Sequence, residues 1–159
     1  DIAVTERPDA TEMADIAVAL AAKARQMGHT PRVAILSFTN FGNPESRTSV
    51  EARRTVEILQ SRDVGFEFDG EMTGDIALDY DLMKSRYPFC NLTGPANILV
   101  MPGLHSANIS FKLVDQLGNV SVIGPIMIGG AHPFQIVQMG ASVSDIVQTA
   151  VLAAHDAIR

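Results

Sequence analysis

The feature that most constrains this chain is a pair of short apolar runs without alternation, Val33-Ala34-Ile35-Leu36 and Ile98-Leu99-Val100-Met101. Consecutive apolar residues in a strand place side chains on both of its faces. Both faces must then be covered, which is the condition of a parallel sheet flanked by helices. The segments around the runs have the matching periodicity. Met13, Ile16, Ala17, Leu20, Ala21 and Ala24 recur at helical intervals behind Asp9-Ala10-Thr11-Glu12, which has capping-box spacing, and Gly28 supplies a stop. That pattern predicts a helix over residues 8–27. A second helix is expected over 46–62, with Val50, Val56, Ile58 and Leu59 inward.

Phe66-Glu67-Phe68-Asp69 alternates and reads as a strand with one more exposed face. A shorter helix is expected over 75–85, closed by Tyr87-Pro88. Another follows over 106–117, stopped by Gly118-Asn119. Val120-Ser121-Val122-Ile123 reads as a further strand, and Ile136-Val137 as a brief pairing segment. The last helix, 142–158, is capped by Ser142-Val143-Ser144-Asp145. Alternation of strands and helices with crossovers of this length predicts the α/β class: an open, mainly parallel sheet with helices on both faces.

Composition then removes several functions. At 159 residues and 47% hydrophobic, the chain can bury one core. Its net charge is −6, and the adjacent Arg53 and Arg54 lie among Glu51, Glu57 and Asp63, so no basic stripe marks a nucleic-acid partner. No apolar run reaches the roughly 18 residues of a membrane span, so no membrane partner is expected. The lone Cys90 excludes an internal disulfide, reads as a packing residue and fits a reducing, cytoplasmic compartment. The chain starts Asp1-Ile2-Ala3 with neither an initiator Met nor an apolar leader, and is expected to be a cut through a longer protein.

In open α/β sheets, ligands bind beyond the carboxyl ends of the strands. Those positions hold Ser37, Asn40, Phe41 and Gly42 after the first run, Gly70 and Glu71 after the second strand, and His105, Ser106 and Asn108 after the third. Gly129 and Gly130 follow the fourth, with His132 close by. Glycines there let backbone N–H groups approach an anion, although such glycines are also the turns any α/β sheet needs. His105, His132, Asp69 and Glu71 have no metal-ligand spacing, so no metal is expected. GxSxG, P-loop and GxGxxG motifs are absent. Asp145 reads first as a first-turn acid completing a cap with Ser142.

Several segments together resemble one family. Residues 33–42, VAILSFTNFG, resemble the "VALLSFSNFG" strand and loop of the phosphate acetyl/butyryl transferases. Residues 68–78, FDGEMTGDIAL, resemble their "DGELQxDxAL", and the stretch from Gly94-Pro95-Ala96-Asn97 through Asn108-Ile109 resembles "GxANVLVFPxLxxGNI". GASVSDIV, 140–147, is similar to the segment after the family's "LSRG". The matches run in order over nearly the whole chain. They imply the carboxyl-terminal half of a phosphotransacetylase-type fold (three-layer, of isocitrate/isopropylmalate dehydrogenase type) over residues 1–159. An α/β subdomain would occupy about 1–128, with a loop and terminal helix at about 129–159. Tyr87-Pro88-Phe89-Cys90-Asn91-Leu92-Thr93 and His105-Ser106-Ala107-Asn108 are similar, more narrowly, to the phosphotransacetylase-like domain of bacterial NADP-dependent malic enzymes.

The departures shape the functional expectation. Working transferases of the family carry Ser-Arg just before the motif glycine, where this chain has Gln138 and Met139 before Gly140. Methionine cannot clamp a phosphate, so both positions are degenerate, and the matching acid Asp145 lacks its partners. The resemblance therefore implies a catalytically silent, oligomerising domain that senses acyl-CoA, with acetyl-CoA as effector and a malic-enzyme catalytic domain as partner. NADP and Mg or Mn would belong to that other part, and no cofactor to this one. The alternatives are an active phosphate acetyltransferase and a purely structural oligomerisation module. Ligand contacts are expected from Ser37, Asn40, Phe41, Gly42, His105, Ser106, Asn108, Gly129, Gly130, Gln138, Met139 and Asp145.

Overall fold

The apolar runs form the sheet they predict. In the computed structural model, which describes residues 1–158, β1 (Arg32–Leu36), β2 (Glu67–Met72) and β3 (Ile98–Val100) form a parallel three-stranded sheet in the order β2-β1-β3. Val33, Ala34 and Ile35 in the central strand are inaccessible to solvent. Two clusters cover the sheet. On one face α1 (Ala10–Gln26) and α2 (Arg47–Ser61) pack Met13, Ala14, Ala17, Ala21, Ala52, Val56 and Leu59 onto Val33, Ile35, Ile98 and Val100. On the other, α3 (Gly74–Leu78), α4 (Tyr80–Arg86) and the following loop bring Ile76, Ala77, Met83, Cys90 and Leu92 against Ala34, Leu36 and Met72. The chain crosses from β1 to β2 through α2, then back over β1 to β3 through α3 and α4. Right-handed crossovers in opposite directions put their helices on opposite faces.

Local chemistry sets the helix ends. Asp9 caps α1 by accepting from the N–H groups of Thr11 and Glu12, while Glu12 reaches back to the Asp9 N–H, a complete capping box. Gly28 follows in the left-handed region at φ +86°. Within α2, Ala52, Val56 and Leu59 face inward, whereas Val50 is exposed because its position falls off that stripe.

Four further expectations need correction. Residues 75–85 form two helices, because the extended backbone of Asp79 (φ −104°, ψ 100°) ends α3 and its carboxylate caps α4 at the Leu82 N–H, 2.9 Å away. The strand expected at 66–69 runs instead from Glu67 to Met72. Residues 120–123 and 136–137 form no strand, because a strand exists only by pairing and the described part of their unit offers none to pair with.

Two compact units divide the chain, Asp1–Ala107 and Asn108–Arg159. The first holds the sheet and both core clusters. The second holds most of α5 (Leu104–Leu117) and all of α6 (Val143–Ala157), and none of its described residues is buried. No helix among the described residues is long and apolar enough to cross a membrane.

Pairing is regular until Ile35, which pairs with Gly70, but Leu36 pairs with Met72, so Glu71 is an extra residue, a bulge in β2. Gly70 makes this possible. Its φ is +153°, and a Cβ there would lie 2.7 Å from the Ile35 carbonyl oxygen. Gly70→Ala is therefore expected to destabilise the fold by about 2–4 kcal/mol in urea titrations, combining overpacking with backbone strain. Gly28→Ala, which would meet nothing within 4 Å, is expected to lose about 1 kcal/mol from its positive φ alone. Equal losses from the two would refute the packing account of Gly70.

Cys90 offers a second check. Burial pushes its thiol up to about 11 from 9.0, with Asp69 adding to the rise. At pH 8 only about one thiol in a thousand is then ionised in the fold, and the thiolate is the reactive form. A thiol-disulfide reagent should label the native chain at least about tenfold more slowly than the urea-unfolded chain. Because the folded pKa is the higher one, this residue's contribution to stability is complete below pH 9 and is lost as pH rises toward 11.

Candidate functional site

Strands β2 and β3 lie on opposite sides of β1, so the carboxyl end of β1 is the point where the winding of the sheet reverses. The crevice at such a point is where open α/β sheets bind ligands. The loop there, residues 37–43, contains Ser37, Asn40, Phe41 and Gly42, which the structure brings together. What shapes it is a side chain absent from the expected contacts, Glu71.

The bulge delivers the fully buried Glu71 carboxylate beneath the loop. Its Oε1 accepts from Thr39 Oγ1 at 2.8 Å and from the Gly42 N–H at 2.8 Å, and lies 3.6 Å from Arg53 Nη1. Its backbone carbonyl accepts from the Phe41 N–H at 2.8 Å. Main chain and side chain of one residue thus grip three positions of the loop. Phe41 is held at φ +50°, uncommon for an aromatic residue, with its ring 5.0 Å from Tyr87 and 4.9 Å from Phe89. Glu71 Oε2 is buried with no hydrogen-bond partner among the described residues.

The hydroxyl hydrogens of the loop point inward. Thr39 Oγ1 gives its single hydrogen to Glu71, so in its 3.0 Å contact with Ser37 Oγ the serine must donate. Asn40 Oδ1 accepts from the Thr73 N–H at 2.9 Å, tying the loop to the end of β2, and Thr73 also bonds Asp75, whose carboxyl this bond holds below its ordinary range. The other acids of β2 anchor a neighbouring loop. Asp69 accepts from the N–H groups of Gly70 and Asn91, and Glu67 from the N–H and hydroxyl of Thr93. Asp69 and Glu71 are thus engaged by hydrogen-bond donors, and no group of three or more His, Cys, Asp or Glu among the described residues could hold a metal ion.

At the end of β3, His105 stands exposed on the first turn of α5, its Nε2 3.9 Å from Glu6 Oε1. Ser106 Oγ donates to the Gly103 carbonyl at 2.8 Å.

The remaining expected contacts belong to the second unit, where Asn108 is its first residue. A pocket of about 220 Å³ is lined by Gln138, Met139 and Asp145 together with Phe111, Lys112 and Gln148. Gly129 and Gly130 are not among its lining residues. Met139 is fully exposed. Asp145 completes the α6 capping box: its Oδ2 accepts from the Ser142 N–H at 2.9 Å and hydroxyl at 2.8 Å, and these bonds hold its carboxyl below the usual carboxylate range. Lys112, in the interior of α5, was not an expected contact, because nothing in a helical repeat marks one exposed lysine as lining a pocket. The volume suits an acyl or phosphoryl group and falls short of the roughly 300–1,000 Å³ of a pocket for a drug-sized ligand.

Known proteins share both sequence and fold with this chain. It is 46% identical over 157 residues to an NADP-dependent malic enzyme of Rhizobium meliloti, covering 99% of this chain and 20% of that protein. It is 35% identical over 160 residues to a phosphate acetyltransferase of Clostridium acetobutylicum, covering all of this chain and 48% of that one. The crystal structure of a phosphotransacetylase from Streptococcus pyogenes superposes with a TM-score of 0.93 at 33% identity, covering 99% of this chain and 48% of that one. The chain thus spans about a fifth to a half of the length of these relatives. The family described as phosphate acetyl/butaryl transferase matches residues 1–154, and the chain belongs to it.

Proposed function

We propose that this chain is an acyl-CoA-binding regulatory domain of an NADP-dependent malic enzyme, without transferase turnover of its own. The observation that carries the reading is Met139, fully exposed and lining the 220 Å³ pocket; by the motif resemblance around Gly140 it stands where the family's transferases carry arginine. Acyl transfer to phosphate develops negative charge, and a pocket whose wall presents a thioether there lacks the bidentate clamp. The retained acid, Asp145, serves the cap of α6. The cleft is kept while its chemistry is lost, which is what an effector site requires: a ligand that binds one state better than the other.

Oxidative decarboxylation of malate, with NADP and Mg or Mn, belongs in this reading to the remainder of the polypeptide, and so does the partner that the domain regulates in the cytoplasm. Exposed Val143, Val147 and Val151 on α6 and Leu113 and Leu117 on α5 supply the apolar surface for oligomerisation.

Calorimetry and a coupled assay test this. The full-length protein should release or absorb heat on titration with acetyl-CoA, and should form no acetyl phosphate from acetyl-CoA and phosphate. The isolated chain should bind acetyl-CoA more weakly, because the pocket of its second unit holds only part of such a ligand. Acetyl phosphate formed in proportion to protein would make the chain a transferase. Absence of any binding heat from the full-length protein would reduce it to an oligomerisation module.

A further inference from the structure

We infer that the pocket of the second unit selects acyl-CoA thioesters whose acyl group is uncharged, and that Asp115 is the residue that disfavours an acyl group ending in a carboxylate. The inference deepens the acyl-CoA reading and rests on it.

The charge, size and polarity of the lining converge on this. On α5, Lys112 and Asp115 are three residues apart and share one face of the helix, with Phe111 beside them in the wall. The Lys112 Nζ lies 5.3 Å from the centre of the Phe111 ring. On α6, Asp145, Gln148 and Thr149 recur at the same helical interval and form another part of the wall. Lys112 is the only cationic side chain among the described lining residues, and it stands against two carboxyl groups, those of Asp115 and Asp145. The donors on Asp145 Oδ2, the Ser142 N–H and hydroxyl, are neutral, so the cap satisfies hydrogen bonds without cancelling the charge. An anion in the pocket therefore meets a surplus of negative charge. The phosphates of CoA are disfavoured on that ground, and its nucleotide is too large for about 220 Å³, which leaves the acyl end as the part that enters. The lining suits such an end. Ile136, Val137 and Met139 offer apolar surface to its carbons, and the amide side chains of Gln138 and Gln148 are neutral donors for the thioester carbonyl. Of the two acids, Asp145 is committed to the cap of α6. Asp115 bonds the adjacent Gln116 amide at 3.3 Å and holds no helix end, so it is the charge with no structural duty.

Binding to the full-length protein should be measured by calorimetry with acetyl-CoA, isovaleryl-CoA and malonyl-CoA. The isovaleryl and malonyl groups have the same branched outline, two methyl groups in one replacing two carboxylate oxygens in the other, so comparing them isolates charge. Isovaleryl-CoA should bind about fivefold more tightly than malonyl-CoA, the effect of one surplus like charge at about 4 Å in water. The ratio should shrink at roughly 1 M salt, where the screening length is about 3 Å. Asp115→Asn leaves Lys112 balanced against Asp145 and should bring the ratio to about one. Lys112→Met removes the cation and should widen it to about twenty-five-fold. Both positions are exposed, so the fold tolerates both changes. Malonyl-CoA binding as tightly as isovaleryl-CoA, or more tightly, in the wild type overturns this inference alone. So does a ratio that Asp115→Asn leaves unchanged. Binding of acetyl-CoA with neither branched thioester bound makes size the selector and also overturns it. A wild-type protein that binds none of the three overturns the acyl-CoA reading and this inference together.

Discussion

The loop at the carboxyl end of β1 depends on one buried carboxylate. Taking Glu71 out of water costs several kcal/mol unless donors replace the lost solvation. The replacements come from the Thr39 hydroxyl and the Gly42 N–H, with Arg53 nearby. Because those groups belong to the loop and to α2, meeting the needs of the carboxylate also sets the shape of the loop. The backbone of the same residue holds Phe41 at its positive φ. Removing the bulge would return β2 to regular pairing, take the carboxylate away from the loop, and leave Phe41 without the bond that holds its conformation.

The acids of β2 share one task. Glu67, Asp69 and Glu71 bond Thr93, Asn91 and the 39–42 loop respectively. An edge strand normally exposes unpaired polar groups. Here its side chains tie down irregular segments that would otherwise be mobile, and charge-assisted bonds to backbone N–H groups are among the stronger ones available for this. Stability therefore concentrates in the first unit, with two apolar clusters and a stapled strand. The second unit has a pocket and two amphipathic helices but no buried residue.

Local rules were legible in particular residues. Asp9-Ala10-Thr11-Glu12 and Ser142-Val143-Ser144-Asp145 spell capping boxes, and both form, because a cap needs only a few consecutive residues. The run 33–36 announces a strand covered on both sides, and Gly28 announces a helix end. Asp79 was not legible as a break, since an acid inside a helical pattern is as compatible with a continuous helix as with a cap. Residues 120–123 carry a strand's composition but no strand, because pairing is supplied by other segments and not by the run itself.

The sequence by itself thus determined the class of fold, the parallel character of the sheet, the helix caps and the family, all of which rest on patterns of neighbouring residues. Tertiary structure alone decided the strand order, and with it which loop lies at the reversal of the sheet. It decided the register, which made Glu71 a bulge and buried its charge. It also decided that Arg53, a residue with acidic neighbours in the chain, stands beside Gly42 and Glu71 in space. These are relations between residues from 11 apart (Gly42 and Arg53) to 65 apart (Ile35 and Val100), fixed by packing and hydrogen bonding that no local pattern contains.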